Sequence, residues 1–273
     1  MALLREMLAY PFMLNALRAG TIAAILAGVV GNVMVVRRQS FVGHTLSVVG
    51  FPGAAGAVLV GAGATYGFFA FALAAALVIA AVPAARGGLG EESAVTGTVQ
   101  AFALASGFLF VSLYGGLLGG SEAFLFGTFL GISAGQVQVL LAVAVAVLGV
   151  LAVVARPLLF ASVDPDVAAA RGVPVRALSA VFLLLLGATA AEVSQITGTL
   201  LVFTLLVVPA ATAQALTARP ALAAAVTVAL AVGVTWVSLV VAYGADYPIG
   251  FVLTSVAFGV YLLAAGWRRV RPA

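Results

Sequence analysis

Apolar residues run along this chain in blocks of roughly twenty, and most polar side chains fall in the short breaks between them. The blocks cover residues near 18–36, 41–62, 66–85, 94–115, 135–155, 176–192, 198–216, 221–243 and 249–266. At about 1.5 Å of rise per residue they approach the roughly 30 Å needed to cross the hydrocarbon core of a bilayer. The pattern predicts an all-α polytopic membrane protein of eight or nine transmembrane helices, forming one transmembrane domain over residues 1–273. The joint at 176–216 stays open. Its two short runs, meeting around Glu192, Ser194 and Gln195, are either two spans or one long broken helix.

Charge gives these helices a direction. Of the twelve basic residues, all arginine, ten lie where apolar runs break: Arg37, Arg38, Arg86, Arg156, Arg171, Arg176, Arg219, Arg268, Arg269 and Arg271. Cytoplasmic loops retain an excess of Lys and Arg, so these breaks belong inside. The arginine-free breaks near Gly63, Gly116 to Glu122, Ser194 and Gly244 to Pro248 belong outside. Nine spans satisfy the alternation with the N-terminus outside and the C-terminus in the cytoplasm.

Composition removes other classes. A chain with 64% hydrophobic and 7% charged residues is no soluble globule, in which about a quarter of residues are charged. The net charge of +4 follows from the loop arginines, and without a basic patch interleaved with aromatics no nucleic acid is expected as partner. Cysteine is absent, which excludes disulfides, thiolate metal sites and thiol catalysis. Met1 to Leu17, with Arg5 and Glu6, reads as an interfacial amphipathic helix without the cleavage pattern of a signal peptide.

Two kinds of segment carry further information. Phe51-Pro52-Gly53-Ala54-Ala55-Gly56-Ala57 and Val208-Pro209-Ala210-Ala211-Thr212-Ala213 combine a proline with small side chains. Such stretches mark either close helix packing or a path in which a freed carbonyl meets a neighbour or water. They resemble each other and run in opposite directions in the nine-span topology, as an inverted repeat requires. The second kind is a cytoplasmic break, about 162–174, punctuated as a helix. Asp164 caps it, Pro165 takes its first position, Asp166 and Arg171 suit its two dipole ends, and Gly172 with Pro174 stops it. A two-turn helix is marginal alone in water, so it either docks on something or is an ordinary connection.

Read in order, the motifs resemble one family. Val35-Val36-Arg37-Arg38-Gln39-Ser40-Phe41, Gly43 through Ser47 leading to Pro52-Gly53, and Leu125-Phe126-Gly127 come first. Asp164-Pro165-Asp166 with Gly172, Gly198-Thr199-Leu200-Leu201-Val202, Leu205 through Ala213, and Asp246-Tyr247-Pro248-Ile249-Gly250 follow. Between about Phe12 and Gly266 the chain looks like the membrane permeases of zinc or manganese ATP-binding-cassette importers, the ABC-3 family.

The resemblance implies a type II ABC importer permease in a bacterial cell (inner) membrane, surrounded by lipid. Two copies would flank a central path, a cytoplasmic ATPase dimer would sit below, and an extracytoplasmic metal-binding protein would deliver the ion. Asp164, Pro165, Asp166, Arg171 and Gly172 match the segment that couples permease to ATPase. The chain has no lysine and so lacks the lysine loop that cradles ATP phosphates. Hydrolysis belongs to a partner, the chain itself is not expected to be an enzyme, and no tightly bound cofactor is expected.

Ionisable groups within spans cost about 2.5–3.5 kcal/mol near the helix centre and default to functional candidates. Those here are His44, Glu192, and, at outer breaks, Glu122 and Asp246. Pro52, Gly53 and Pro209 mark the candidate path helices. Imidazole and carboxylate bind zinc or manganese, and a conducting site uses few ligands so that the ion leaves. Many members of the resembled family have an aspartate where His44 stands and a histidine four positions later, where this chain has Val48. One helical turn separates the two positions on one face. The presence of a histidine puts zinc ahead of manganese. For each candidate a bland reading stands beside the functional one: a histidine bonded to a neighbouring helix, a rim carboxylate at Glu122, an aspartate cap at Asp246, and a lipid-interface Glu192. An ion-coupled secondary transporter, or an ABC permease for iron chelates, is the alternative function.

Overall fold

The computed structural model describes residues 2–81, 89–114, 125, 127, 129–199, 201–245 and 247–270, and among them no strand occurs. The first six helices are α1 (Ala2–Ala9), α2 (Pro11–Val36), α3 (Ser40–Val48), α4 (Gly50–Leu59), α5 (Ala64–Ala81) and α6 (Leu89–Leu113). A 3-10 turn at Phe129–Gly131 precedes α7 (Ala134–Val163), α8 (Pro165–Ala170), α9 (Val175–Thr197), α10 (Val202–Leu206) and α11 (Val208–Leu216). The last two are α12 (Pro220–Ala245) and α13 (Ile249–Val270). Eight segments are long and apolar enough to cross a membrane, with α3 and α4 counted together as Ser40–Leu59, whereas Val202–Leu216 is shorter.

Three expected boundaries move. The N-terminal stretch is not one helix to Leu17. It divides at Tyr10, held extended (φ −90°, ψ 122°) because the following proline disfavours helical backbone before it, while Pro11 itself suits the first helical position. The run expected to stop at 155 continues to Val163 through Arg156 and Pro157, since a proline removes one helical hydrogen bond without ending a long apolar helix. Its start is fixed by a capping box that the sequence reading missed: Gln136 N–H donates to Ser133 Oγ, and Ser133 N–H to Gln136 Oε1. The break expected near Ser194 falls instead at Gly198, whose φ of 78° favours a residue without Cβ.

α2 forms the centre, packed against α7, α9, α10, α11 and α12. Its small residues Ala16, Ala19, Ala23, Ala24 and Ala27 are fully buried, and they let neighbouring backbones close in. A Cβ on Gly31 would collide with the Leu206 carbonyl oxygen. α2 and α12 run antiparallel, with Gly28 against Val228, Gly20 against Thr235, and the Trp236 indole N–H donating to Thr21 Oγ1 at 2.9 Å. Large apolar side chains such as Phe102, Val153 and Leu263 point outward, at 76%, 81% and 76% exposure, as lipid-facing helices require.

One end of the bundle collects the arginines. α2 ends there in a Schellman turn: Arg38 and Gln39 N–H donate to Val35 and Met34 carbonyls, and Arg38 (φ 58°) sits where glycine is usual. Arg37 bonds to Ser162 near the end of α7 and to Ser179 near the start of α9, so Arg171 and Arg176 lie at this end as well. The antiparallel pairing of α12 with α2 brings Arg219 there, and α13 returns to it with Arg268. Segment α10–α11 also runs lengthwise. Leu201 lies against Gly250 at the start of α13, while Gln214 reaches the Asn32 carbonyl at 3.4 Å, one turn from the arginine end of α2. It makes a broken pass along the bundle, shorter than the eight segments above.

α4 and α5 meet glycine to glycine, since a Cβ on Gly53 would strike the Gly67 carbonyl and one on Gly67 the Gly53 carbonyl. Gly53→Ala should therefore lower stability by about 1–3 kcal/mol, the usual cost of overpacking. Gly149→Ala, in a helix with nothing within 4 Å of the added Cβ, should leave it unchanged or slightly raised. Thermal unfolding of both variants in detergent checks the contrast.

Candidate functional site

Two of the passes along the bundle are interrupted, and they meet where α3 packs on α10. α3–α4 breaks at Val49 and α10–α11 at Val207, shortly before Pro52 and Pro209. Neither proline has an N–H, so the carbonyls of Val48 and Leu205 lack their ordinary helical donor. The two segments run in opposite directions. They meet where the His44 ring stands edge-on to Phe203 at 5.6 Å and 88°, and where Gly50 faces the Thr199 methyl group. Opposed, discontinuous helices at one seam are the arrangement in which membrane transporters place cargo.

The seam holds polar atoms without protein partners. His44 sits one turn into α3, with Nδ1 buried and unbonded among the described residues. The Ser47 hydroxyl donates to the His44 carbonyl at 2.7 Å, and the Thr45 hydroxyl to Gln100 Oε1 of α6 at 2.9 Å. Neither satisfies the ring, so the reading of His44 as a histidine bonded to a neighbouring helix fails at Nδ1. Across the seam, Thr199 Oγ1 is likewise buried without a partner. A buried polar atom left unbonded costs about 1–3 kcal/mol, which an arriving ion or water recovers.

Glu192 is not at the lipid interface: its exposure is 0%, and neither carboxyl oxygen has a partner among the described residues. On the same helix Leu186 lies against Gly43 of α3, and Gly187 against Ala72 of α5. Six residues past Leu186, at about 100° each, Glu192 points away from both. It does not share a station with Gln195, whose amide donates to the Ala191 carbonyl at 3.3 Å. Gly53 is taken up by the contact with Gly67, so its smallness serves packing. Pro52 and Pro209 are buried. Glu122 and Asp246 lie outside the described residues. Among the described residues no group of three His, Cys, Asp or Glu could hold a metal ion.

Sequence reasoning missed Thr199 and Phe203, together with the Asn32–Gln214 contact near the arginine end. Thr199 stands in the Gly198 to Val202 motif without a mark of a polar role, Phe203 follows in an apolar run, and only the meeting of α3 with α10 selects them.

The expected coupling segment is a helix. Asp164 Oδ1 accepts from Val167 N–H at 3.0 Å, and Pro165 opens α8. A Schellman turn closes it: Gly172 (φ 80°) and Val173 N–H donate to Ala169 and Ala168 carbonyls at 2.9 and 3.0 Å. Ala168 is fully buried and seats the helix on the bundle, while Val163 and Val167 stay 81% and 44% exposed. Asp166 and Arg171 are exposed beside them.

A bundle of lipid-length helices with an opposed pair of broken crossings, and a capped helix standing at its arginine-rich end, defines a membrane transport permease. Comparison with known proteins gives its family. The ABC 3 transport family matches residues 9–267, and the chain belongs to that family. A manganese transport system membrane protein, MntC of Halalkalibacterium halodurans, is 30% identical over 78% of this chain and 73% of its own length. A manganese import system permease protein, ScaB of Streptococcus parasanguinis, is 31% identical over 75% and 72%. The fold is that of a chain in the solved PsaBC complex of Streptococcus pneumoniae with a Fab, with a TM-score of 0.86, 22% identity and 99% coverage of both chains.

The turn that ends α8 has nothing within 4 Å of a Cβ on Gly172, so substitution there acts through backbone conformation alone. Gly172→Val should open the turn at a cost of about 1–2 kcal/mol, and Gly172→Asn, which tolerates positive φ, should cost less. Backbone hydrogen exchange at Gly172 and Val173 reads the difference.

Proposed function

We propose that this chain is the permease subunit of an ATP-driven importer of a divalent transition-metal ion. The family match over residues 9–267 carries the reading. In it, α8 fits a groove of a separate cytoplasmic ATPase subunit, with Val163 and Val167 as its apolar contacts. Two copies of the chain flank the path, and an extracytoplasmic binding protein hands the ion in. The arginine-rich end faces the cytoplasm, which puts the N-terminus outside and the C-terminus inside.

Within each copy the seam between α3–α4 and α10–α11 lines the path, and His44 is its transient ligand, with Thr199 and the freed carbonyls as oxygen donors. One imidazole suits zinc, whereas hydroxyl and carbonyl oxygen suit manganese. The two named relatives are manganese proteins, and this moves manganese ahead of the zinc expected from the histidine alone. A station with so few ligands holds an ion weakly enough to release it.

Vesicles containing the permease and its ATPase subunit should take up manganese with ATP, and faster than zinc. Uptake driven by an ion gradient without ATP would assign the chain to secondary transport instead. His44→Ala should reduce uptake about tenfold or more, the scale on which metal-site side chains act, with the assembled complex undiminished. His44→Asp should retain part of the uptake and shift preference further toward manganese. For topology, a single cysteine at Arg268→Cys should escape an impermeant thiol reagent in intact cells and react in inverted vesicles.

A further inference from the structure

Arg37 ties together three elements that the chain keeps far apart. It lies at the C-cap of α2, and its guanidinium, half-buried, donates in three directions. Nε reaches Gln39 Oε1 at 3.0 Å, Nη1 reaches Ser162 Oγ at 2.9 Å, and Nη2 reaches Ser179 Oγ at 2.8 Å. The plane also stands over the Phe182 ring, 5.2 Å from its centroid. The Ser162 hydroxyl donates to the Leu158 carbonyl, which leaves its lone pairs free to accept from Arg37. These three acceptors are neutral, so the bonds to them form a directional fork.

The partners flank the two moving parts of the reading above. Ser162 lies two residues before Asp164, the cap of α8, and Ser179 lies in the first turn and a half of α9, just after α8. Gln39 begins α3, where its carbonyl accepts Gly43 N–H at 3.0 Å, and His44 is the next residue. We infer that Arg37 is a positioning residue that links the α8 segment to the broken helix carrying His44. A push on α8 displaces the ends of α7 and α9 together, and the fork passes that displacement to the first turn of α3. Lysine, a single ammonium on a flexible stem, does not reproduce a planar three-way fork.

The inference rests on the permease reading of α8, and its test separates the two. Ser162→Ala with Ser179→Ala removes the two bonds to α7 and α9 and leaves Arg37, α8 and His44 in place. In vesicles with the ATPase subunit, this double variant should assemble and hydrolyse ATP as the parent does. It should import about tenfold fewer ions per ATP, the factor matching loss of a charge-assisted hydrogen bond. Arg37→Lys should behave alike. An unchanged ratio of ions to ATP in the double variant overturns the linkage, as does a parallel fall in assembly and uptake at constant ratio, which marks a purely structural cluster. A second readout needs no transport: hydrogen exchange at Gly43 in the detergent-solubilised chain should quicken in the double variant. If the parent complex imports no metal with ATP, the permease reading fails, and unchanged exchange at Gly43 then overturns the linkage independently.

Discussion

Lipid offers no hydrogen bonds, so each backbone N–H and C=O within the membrane must find its partner inside the protein. That constraint makes nearly every described residue helical, and it gives meaning to the places where helices falter. An irregular turn in a water-soluble loop is routine. Here, interruptions at Val49 and Val207 leave carbonyls without helical donors, and such groups persist in a membrane only when buried in protein or facing a cavity. The two interrupted segments touch through His44 and Phe203 and through Gly50 and Thr199, which makes a seam between them.

The centre of the bundle is built by removing side chains. In lipid the hydrophobic effect does not distinguish a helix neighbour from an acyl chain, and close backbone approach supplies much of the attraction. α2 presents alanine and glycine toward five other helices, and Gly31 comes so near Leu206 that its own hydrogen faces a carbonyl of α10. This approach is next to the break at Val207, so the tightest packing adjoins the least regular backbone.

Polar groups are rationed accordingly. Hydroxyls throughout the spans, among them Thr189, Ser194, Thr212, Thr227, Thr235 and Ser238, donate to carbonyls one turn earlier and so are silent. Against that background, His44 Nδ1, Thr199 Oγ1 and the Glu192 carboxylate stand out as the buried side-chain atoms without partners among the described residues. The first lies on α3 and the second on the turn before α10, the elements that meet at the seam. Glu192 is fully buried as well, on α9.

The sequence by itself determined the solvent, the number of crossings to within one, the end that carries the arginines, and the limits of α8. Each of these is a one-dimensional property: run length against bilayer thickness, loop charge, and capping residues that act on their own helix. It also singled out His44, because one histidine in an apolar chain is conspicuous. Boundaries set by competition were not legible. Whether a proline ends a helix, as before Pro11, or is absorbed, as at Pro157, depends on what the neighbouring turns pack against. Which small residues serve packing and which border the seam was undecidable too, and Gly53, expected on the path, is taken up by its contact with Gly67. Only the tertiary structure brings α3 beside α10, and Arg37 beside Ser162 and Ser179, because contacts between residues more than a hundred positions apart leave no periodic trace in a chain made mostly of apolar side chains.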